Sequence, residues 1–428
     1  MNDIILTRRE QFRTEIRKQS LEKMFKLKRT FPILSTLQTQ QNLNLNQFEL
    51  NSTDQIKHQI QNILNKPTNT NIEKLIILIQ ELDIQNKINL VDKNVYELLK
   101  SPNLDLNLTL LLMNTLCSEP VIIKHIFLDQ IQTDRIMQFL NYLYNKQQHL
   151  NIFMYWEFLC ILSISSNTPF ICLKQIYILC CKEVIESRNN TISFSAQTFS
   201  CIIEKNPVNL QFYWDTINQL DDEGRRPWKS ILYFLKQSYV DENSCQYFLL
   251  TINYFIQYFS NNFEDQKFHQ IVNPELISIL QFNMYRHEKT LIISAQLFQS
   301  IFHKDNSYFS LIVNDLVKLL YNTTMEGLIE ILKVFEILLT NEQIVKSTIR
   351  SQNIVEQLFN LLRSNILVAI NDLALKCISN SITRCSNIQH FQIICNKQYR
   401  QTLEMYTLDV NKQLQDMAQQ LLDFYFEY

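Results

Sequence analysis

The sequence has almost no glycine and little proline. Gly224 and Gly327 are the only glycines among 428 residues, and there are eight prolines. Phosphate-binding loops, dinucleotide-binding turns and the strained turns that carry hydrolase nucleophiles need glycine where backbone turns tightly or approaches a ligand. β-Sheet folds also depend on glycine and proline in their turns. These shortages exclude glycine-loop chemistry and favour helices joined by short polar connections.

Metal-binding and membrane-spanning patterns are also missing. The ten cysteines include no CxxC pair and the seven histidines are scattered singly, so we expect no metal site. Charge dominates the N-terminal residues, so we expect no secretory leader, and the sequence has no apolar run of about eighteen residues. Several cysteines lie in apolar runs, which predicts buried thiols in a reducing compartment; these are Cys160, Cys172, Cys180, Cys181, Cys377 and Cys395. We expect no membrane partner, no cofactor and no enzymatic activity, because no set of acid, base and nucleophile can be named.

Charge is nearly balanced over the whole chain but unevenly placed. The formal net charge is −2, from 40 Lys and Arg against 42 Asp and Glu. Residues 1–29 hold nine bases and four acids, a net of +5, so the other 399 residues carry −7. The whole chain therefore has no electrostatic footprint for nucleic acid, and its basic character is confined to the N-terminal segment.

The chain divides into three predicted parts. Residues 1–31 contain a basic helix over 8–29, which Pro32 ends. Residues 32–70 are rich in Asn and Gln and are predicted to be a flexible linker. Residues 71–428 are a succession of apolar helical segments separated by short polar turns.

Those segments repeat with a spacing typical of armadillo or HEAT units. Leu110 and Trp156 are 46 residues apart, and Trp156 and Ala196 are 40 apart. Many segments are apolar on more than one side, as expected for helices covered by neighbouring repeats. The prediction is an all-α fold, a right-handed armadillo-repeat α-solenoid of about nine or ten repeats, which would bind a partner along its surface.

The N-terminal segment RREQFRTEIRKQSLEKMFKLKR resembles the importin-β-binding segment of the importin-α family. The residues that carry the resemblance are Arg8-Arg9, Glu15-Ile16-Arg17-Lys18, Glu22, Met24-Phe25 and Lys28-Arg29. Ser200 to Pro207 resembles the family's fourth repeat, and the end of the chain from Tyr399 resembles its last repeat. The resemblance implies a nuclear import adaptor present in cytoplasm and nucleus. It further implies that importin-β is bound by Arg13, Arg17, Lys18, Lys28 and Arg29.

The same resemblance implies a cargo groove lined by Trp and Asn in a W-x-x-x-N spacing on successive helices. The matching pairs here are Leu110/Asn114, Trp156/Cys160 and Ala196/Ser200, and a later repeat has Lys333/Ile337. One Trp and one Asn of three pairs remain, so the expected groove remnants are Asn114, Trp156 and Ser200. Lost cation–π contacts and hydrogen bonds of about 1–2 kcal/mol each weaken binding of a classical basic localisation signal. Lys333 would also repel a basic peptide.

Several residues have simpler interpretations that the sequence leaves open. Trp156 and Asn114 could be packing residues, and the W-x-x-x-N spacing at Trp214 falls on what should be an outer helix. The acidic cluster at 221–223 is expected in a turn between helices, with binding of a basic cargo as the alternative. The basic segment could be a solvated tail or an RNA-binding arm, or could fold back to occupy the groove.

Two function hypotheses follow. In the first, the chain is a divergent import adaptor that binds importin-β through its N-terminus and a protein cargo through the solenoid, with a degenerate site for classical signals. In the second, it is an armadillo-repeat scaffold that assembles a protein complex and has no transport role. The cargo and the oligomeric state are not determined by the sequence.

Overall fold

The structure is a computed structural model. It describes residues 60, 62, 63, 68–82, 84, 87, 104–127, 130–146, 150–186, 191–262, 264–346, 354–384, 397–409 and 411–425. The predicted basic helix within residues 1–31 and nearly all of the predicted linker over 32–70 lie outside these residues. Those two assignments therefore stay predictions.

The described residues are helical, with no β-strand among them. They fall into two compact units, which divide between Glu264 and Asp265. In the first unit the helices are α1 (Asn69–Glu81), α2 (Leu106–Cys117), α3 (Pro120–Ile126), α4 (Gln130–Asn145), α5 (Ile152–Ile164), α6 (Phe170–Glu186), α7 (Ile192–Lys205), the 3-10 helix Pro207–Asn209, α8 (Leu210–Asn218), α9 (Pro227–Lys236) and α10 (Glu242–Asn261).

The second unit is likewise a succession of helices. Its helices are α11 (Asp265–Ile271), α12 (Pro274–Met284), α13 (Glu288–Phe302), α14 (Phe309–Leu319), α15 (Met325–Leu338), α16 (Ile354–Ser364), α17 (Val368–Thr383), α18 (Lys397–Tyr406) and α19 (Lys412–Tyr425).

One helix of each repeat packs against its counterpart in the next repeat, and together these form a ladder. In the first unit the ladder runs α1, α2, α5, α7 and α10, and in the second it runs α13, α15, α17 and α19. The remaining helices form a second row. In this row α6 packs on α4 and on α9, and α12 packs on α14. Apolar side chains of both rows form the core between them. Each unit is therefore a stack of two rows of helices with an apolar core between them.

Repeat length and helix number identify the repeat type. The ladder helices begin 37 to 50 residues apart. Three connections contain a short extra helix after the ladder helix, namely α3, α8 and α11, and α3 is bent 112° from α2. This is the three-helix unit of armadillo repeats. The predicted fold class, an all-α armadillo-repeat solenoid, is confirmed.

Asparagine and aspartate side chains cap the starts of ladder helices. The side chain of Asn151 caps α5 by accepting the backbone N–H of Phe153 at 3.2 Å. The backbone N–H of Asn151 in turn donates to Asn107 Oδ1 of α2 at 2.6 Å. One repeat earlier, Asp105 caps α2 and its N–H donates to Asn69 Oδ1 at 2.9 Å. The same polar link therefore joins successive ladder helices.

Among the described residues, no single helix has the length and apolar composition needed to span a membrane. Helices α2 and α3 reach that composition only when they are taken as a pair, across the 112° bend. Nor does this part of the chain bring together three or more His, Cys, Asp or Glu side chains that could hold a metal ion.

Candidate functional site

The three predicted groove remnants lie in the interior of the first unit. Trp156 on α5 is 0% exposed, Ser200 on α7 is 3% exposed and Asn114 on α2 is 6% exposed. Their partners in the W-x-x-x-N spacing are buried as well, with Leu110 and Ala196 at 0%. The indole of Trp156 therefore presents no face to a peptide, and burial agrees with the alternative that these are packing residues. Their role as groove remnants stays a prediction.

Asn114 nevertheless lies directly beneath an accessible acid. Its amide nitrogen donates to the backbone carbonyl of Met154 at 3.0 Å and to Glu157 Oε2 at 3.3 Å. Both acceptors belong to α5, so the Asn114 side chain connects two ladder helices. Its carbonyl oxygen is buried and has no hydrogen-bond partner.

The accessible positions of the ladder are one residue further along each helix than the sequence pattern indicated. Leu111, Glu157 and Gln197 are partly exposed, whereas the residue before each of them is buried. One residue corresponds to a rotation of about 100° around a helix, which exchanges a packed face for an open one. We define the accessible row as Leu111, Thr115, Glu157, Ile161, Gln197, Cys201, Glu204, Tyr247 and Tyr254.

Contacts and electrostatic interactions connect this row from helix to helix. Glu157 accepts the hydrogen bond from Asn114 of α2, and α5 packs directly against α7. At its far end, desolvation and then the charge of Glu204 raise the pKa of Tyr254 on α10. The accessible row therefore crosses α2, α5, α7 and α10.

The chemistry of the row is acidic and aromatic. Burial raises the pKa of the Glu157 carboxyl, and the hydrogen bond from Asn114 opposes that change. Glu157 has no ion-pair partner in the described part of the chain. Glu204 is exposed and lies 4.0 Å from Lys205, a separation at which the pair contributes little. With Tyr247 and Tyr254, these acids form a surface that suits a cation.

On the ladder of the second unit, two accessible lysines are paired with acids of their own helices. Lys333, the position expected to repel a basic peptide, is partly exposed and pairs with Glu330 Oε1 at 2.7 Å. Lys376 pairs with Asp372 at 2.8 Å on the next ladder helix. The hydrogen bond to Asp372 raises the pKa of Lys376 despite partial burial. Lys333 therefore does not act as an isolated positive charge.

Two other sequence features have structural roles. Trp214 lies on α8, outside the ladder, where its ring packs 5.2 Å from Trp228 and 5.3 Å from Phe255. Its W-x-x-x-N spacing is therefore a coincidence. The acidic cluster forms the expected turn between helices, in which Asp221 accepts from the backbone and the Nε of Arg225, at 2.6 and 2.8 Å. Gly224 has φ +77° there, a conformation that favours glycine.

Comparisons with known proteins show the fold and no family. No known family profile matches the chain, and no curated protein matches it. Among solved structures, the crystal structure of an engineered protein is similar over 86% of this chain and 98% of its own, with a TM-score of 0.58 and 13% identity. At that identity the match shows the fold alone.

Two designed armadillo repeat proteins are similar over shorter parts of the chain. One, named YIII(Dq)4CqI, has a TM-score of 0.45, 16% identity and coverage of 57% of this chain and 98% of that one. The other was designed for modular peptide recognition; it has a TM-score of 0.47, 15% identity and coverage of 58% and 99%.

The burial of tryptophan can be tested by fluorescence. All three tryptophans are at most 4% exposed. We expect weak quenching of the native chain by acrylamide and strong quenching after unfolding in urea. A Trp214→Phe/Trp228→Phe variant isolates Trp156 and should behave in the same way. Efficient quenching of that variant while its helical circular dichroism is intact would contradict the buried placement of Trp156.

The Glu157 carboxylate should cost the protein stability at neutral pH. Because burial raises its folded-state pKa, its proton is bound more tightly in the folded state, and stability is lost as pH rises through the unfolded and folded pKa values. Glu157→Gln should raise the free energy of unfolding by less than about 1 kcal/mol at pH 7, because the side chain is only half-buried.

The gain from Glu157→Gln should vanish well below the pKa of a carboxyl group, where both side chains are neutral. Urea titrations at neutral and acidic pH measure the difference. Asp416→Asn, at an exposed position of α19, is the matched control and should show no such gain. A loss of stability at pH 7 for Glu157→Gln would show that the charge is favourable in the folded state.

Proposed function

We propose that this chain is a protein-binding scaffold that holds an extended segment of a partner along the accessible row. The observation that carries the proposal is the alignment of partly exposed acidic, aromatic and aliphatic side chains on four successive helices, connected by the contacts described above. A surface of this kind is characteristic of repeat proteins, in which each repeat adds one similar contact position.

The charge of the row selects a cationic segment. Glu157 has no basic partner in the described residues, so a lysine or arginine of the ligand would supply one. Its half-buried position makes that pair stronger than an exposed one. Tyr247 and Tyr254 are partly exposed, and their rings would contact a second cation or its aliphatic stem. The ligand is therefore an extended peptide with several basic residues.

The spacing of the helices determines which residues of such a peptide contact the accessible row. Packed helices lie about 8–10 Å apart, and an extended chain advances about 3.3 Å per residue. One ladder helix therefore meets roughly every third residue of the ligand. Side chains of the ligand that fall between those contacts are free to vary, which makes the row tolerant of sequence.

At a finer level we propose a divergent nuclear import adaptor that moves between cytoplasm and nucleus. The resemblance of residues 8–29 to an importin-β-binding segment supports this role. On a helix, Arg9, Arg13 and Arg17 repeat every fourth residue and repel one another, so an acidic groove on a receptor would favour the helix by pairing those charges. Binding of importin-β would then couple a cargo on the row to transport.

Charge reversal tests the accessible row. We expect Glu157→Lys/Glu204→Lys to weaken binding of a fluorescein-labelled peptide of roughly nine residues, with lysine at every third position, by tenfold or more. Fluorescence anisotropy measures the affinity. The control Asp222→Lys/Asp416→Lys makes the same change in net charge at exposed positions away from the row, and it should bind like the parent. Equal loss in both variants, or no binding by the parent, contradicts the assignment.

Receptor capture tests the adaptor role. Full-length chain should retain purified importin-β on beads, and Arg17→Ala/Lys18→Ala should reduce the affinity tenfold or more, because each lost charged hydrogen bond costs about 1.5–3 kcal/mol. Lys289→Ala/Lys412→Ala removes two exposed charges of the solenoid and should have no effect. If the parent does not bind, the import role is wrong and the scaffold hypothesis stands. Equal binding by the Arg17/Lys18 variant would refute the residue assignment alone.

A further inference from the structure

Two aromatic side chains lie beside the accessible row, one helical turn from it. Phe153 precedes Glu157 by four residues on α5, and Phe194 precedes Gln197 by three residues on α7. Residues three or four apart share one face of a helix. The ring centroids of Phe153 and Phe194 are 5.6 Å apart, with an angle of 71° between the ring planes. These two rings, which we call the aromatic pair, therefore connect neighbouring ladder helices along the edge of the row.

The aromatic pair leaves apolar surface open to solvent. Phe153 is 51% exposed, whereas Trp156 and Phe158 of the same helix are 0% exposed. Phe194 is partly exposed. Single exposed apolar residues are common in soluble proteins, but a half-exposed ring in contact with a second ring on the next helix makes a continuous patch. Aromatic side chains in such patches are frequent anchors of protein interfaces.

The backbone at Phe153 is held from both sides. Its N–H donates to Asn151 Oδ1 at 3.2 Å, and the N–H of Asn151 donates to Asn107 Oδ1 of α2 at 2.6 Å. The start of α5 is therefore tied to α2, while the contact within the aromatic pair ties it to α7. A ligand would not have to order this surface before binding, which lowers the entropic cost of association.

We propose that the aromatic pair binds a large apolar side chain of the partner segment, next in sequence to the basic residue that pairs with Glu157. It deepens the proposed function and rests on it. Phe153 and Glu157 are about one turn, or 5.4 Å, apart along α5. Adjacent residues of an extended segment are about 3.8 Å apart and their side chains point to opposite sides. Two neighbouring ligand residues can therefore reach both positions, and the site selects one cationic and one large apolar residue side by side.

Three matched peptides test the proposal by fluorescence anisotropy. The first is the labelled lysine peptide used for the charge reversal above. The other two carry phenylalanine directly before or directly after its central lysine. We expect at least one of these two to bind the full-length chain about tenfold more tightly than the lysine peptide does. If the lysine peptide binds and neither phenylalanine peptide gains, the aromatic pair is not a binding site and the proposed function stands. If none of the three binds, the proposed function is wrong as well.

Variants locate the gain. Phe153→Ala should abolish it and leave the affinity for the lysine peptide within about twofold of the parent. Phe282→Ala removes a phenylalanine of α12 that is 42% exposed, so it is the matched control and should keep the whole gain. An equal gain in Phe153→Ala and the parent would overturn the proposal. So would a dimer of the parent that Phe153→Ala dissociates in analytical ultracentrifugation, because a second copy of the chain would then occupy the patch.

A photocrosslink on the parent chain tests the placement even if Phe153→Ala fails to fold. The phenylalanine of the tighter peptide is replaced by p-benzoylphenylalanine, and the irradiated complex is digested with trypsin. Phe153 then lies on residues 147–174 and Phe194 on residues 189–205. Fragment-ion spectra should place the attachment within one helical turn of either ring of the aromatic pair. Attachment only at other positions would show that the apolar residue binds elsewhere.

Discussion

The structure depends on the packing of each ladder helix between the ladder helices of the repeats before and after it. Helix α5, for example, packs on α2, α7 and α6 at once, which leaves only a narrow strip of its surface open. On such a helix the apolar residues cannot be confined to one stripe. Trp156 and its neighbours Tyr155 and Phe158 are all fully buried although they point in different directions around the helix. The open strip is the part of the helix surface that its neighbours do not cover, and a binding surface can form only there.

This constraint also explains what the asparagines do. Every helix start leaves free backbone N–H groups, and side chains of Asn, Asp, Ser or Thr satisfy them. Asn107 and Asn151 do so across the boundary between repeats as well as within a helix. Asparagine is common both in the predicted linker and in the solenoid. Within the solenoid its side chains cap helices and link neighbouring helices. Asn114 belongs to the same system, because its amide holds α2 to α5.

Much of the fold could be predicted from the sequence, and less of the site. Repeat spacing and the shortage of glycine were enough to predict helices in an armadillo-like stack, because both act over many residues. A shift of one residue in the alignment moves the predicted open strip to another face of the helix. Periodicity does not resolve such a shift on a helix that is apolar nearly all round. Glu157 and Gln197 were the available signal, as polar residues inside apolar segments. The alignment to a W-x-x-x-N spacing instead led to their buried neighbours Trp156 and Ala196. Residues 8–29 lie outside the described structure, so their role rests on sequence alone.

Glu157 of the first ladder differs from Glu330 and Asp372 of the second in what it can still bind. In the second unit Glu330 and Asp372 are already paired with lysines of their own helices. A cationic ligand there would have to break an existing ion pair before forming a new one, so the exchange yields little net free energy. In the first unit Glu157 carries a desolvation cost that no basic side chain of the described residues offsets, and the charge of a ligand cation would offset it. Under the proposed function, Glu157 is therefore a better site for a ligand cation than Glu330 or Asp372, because no existing ion pair has to be broken there.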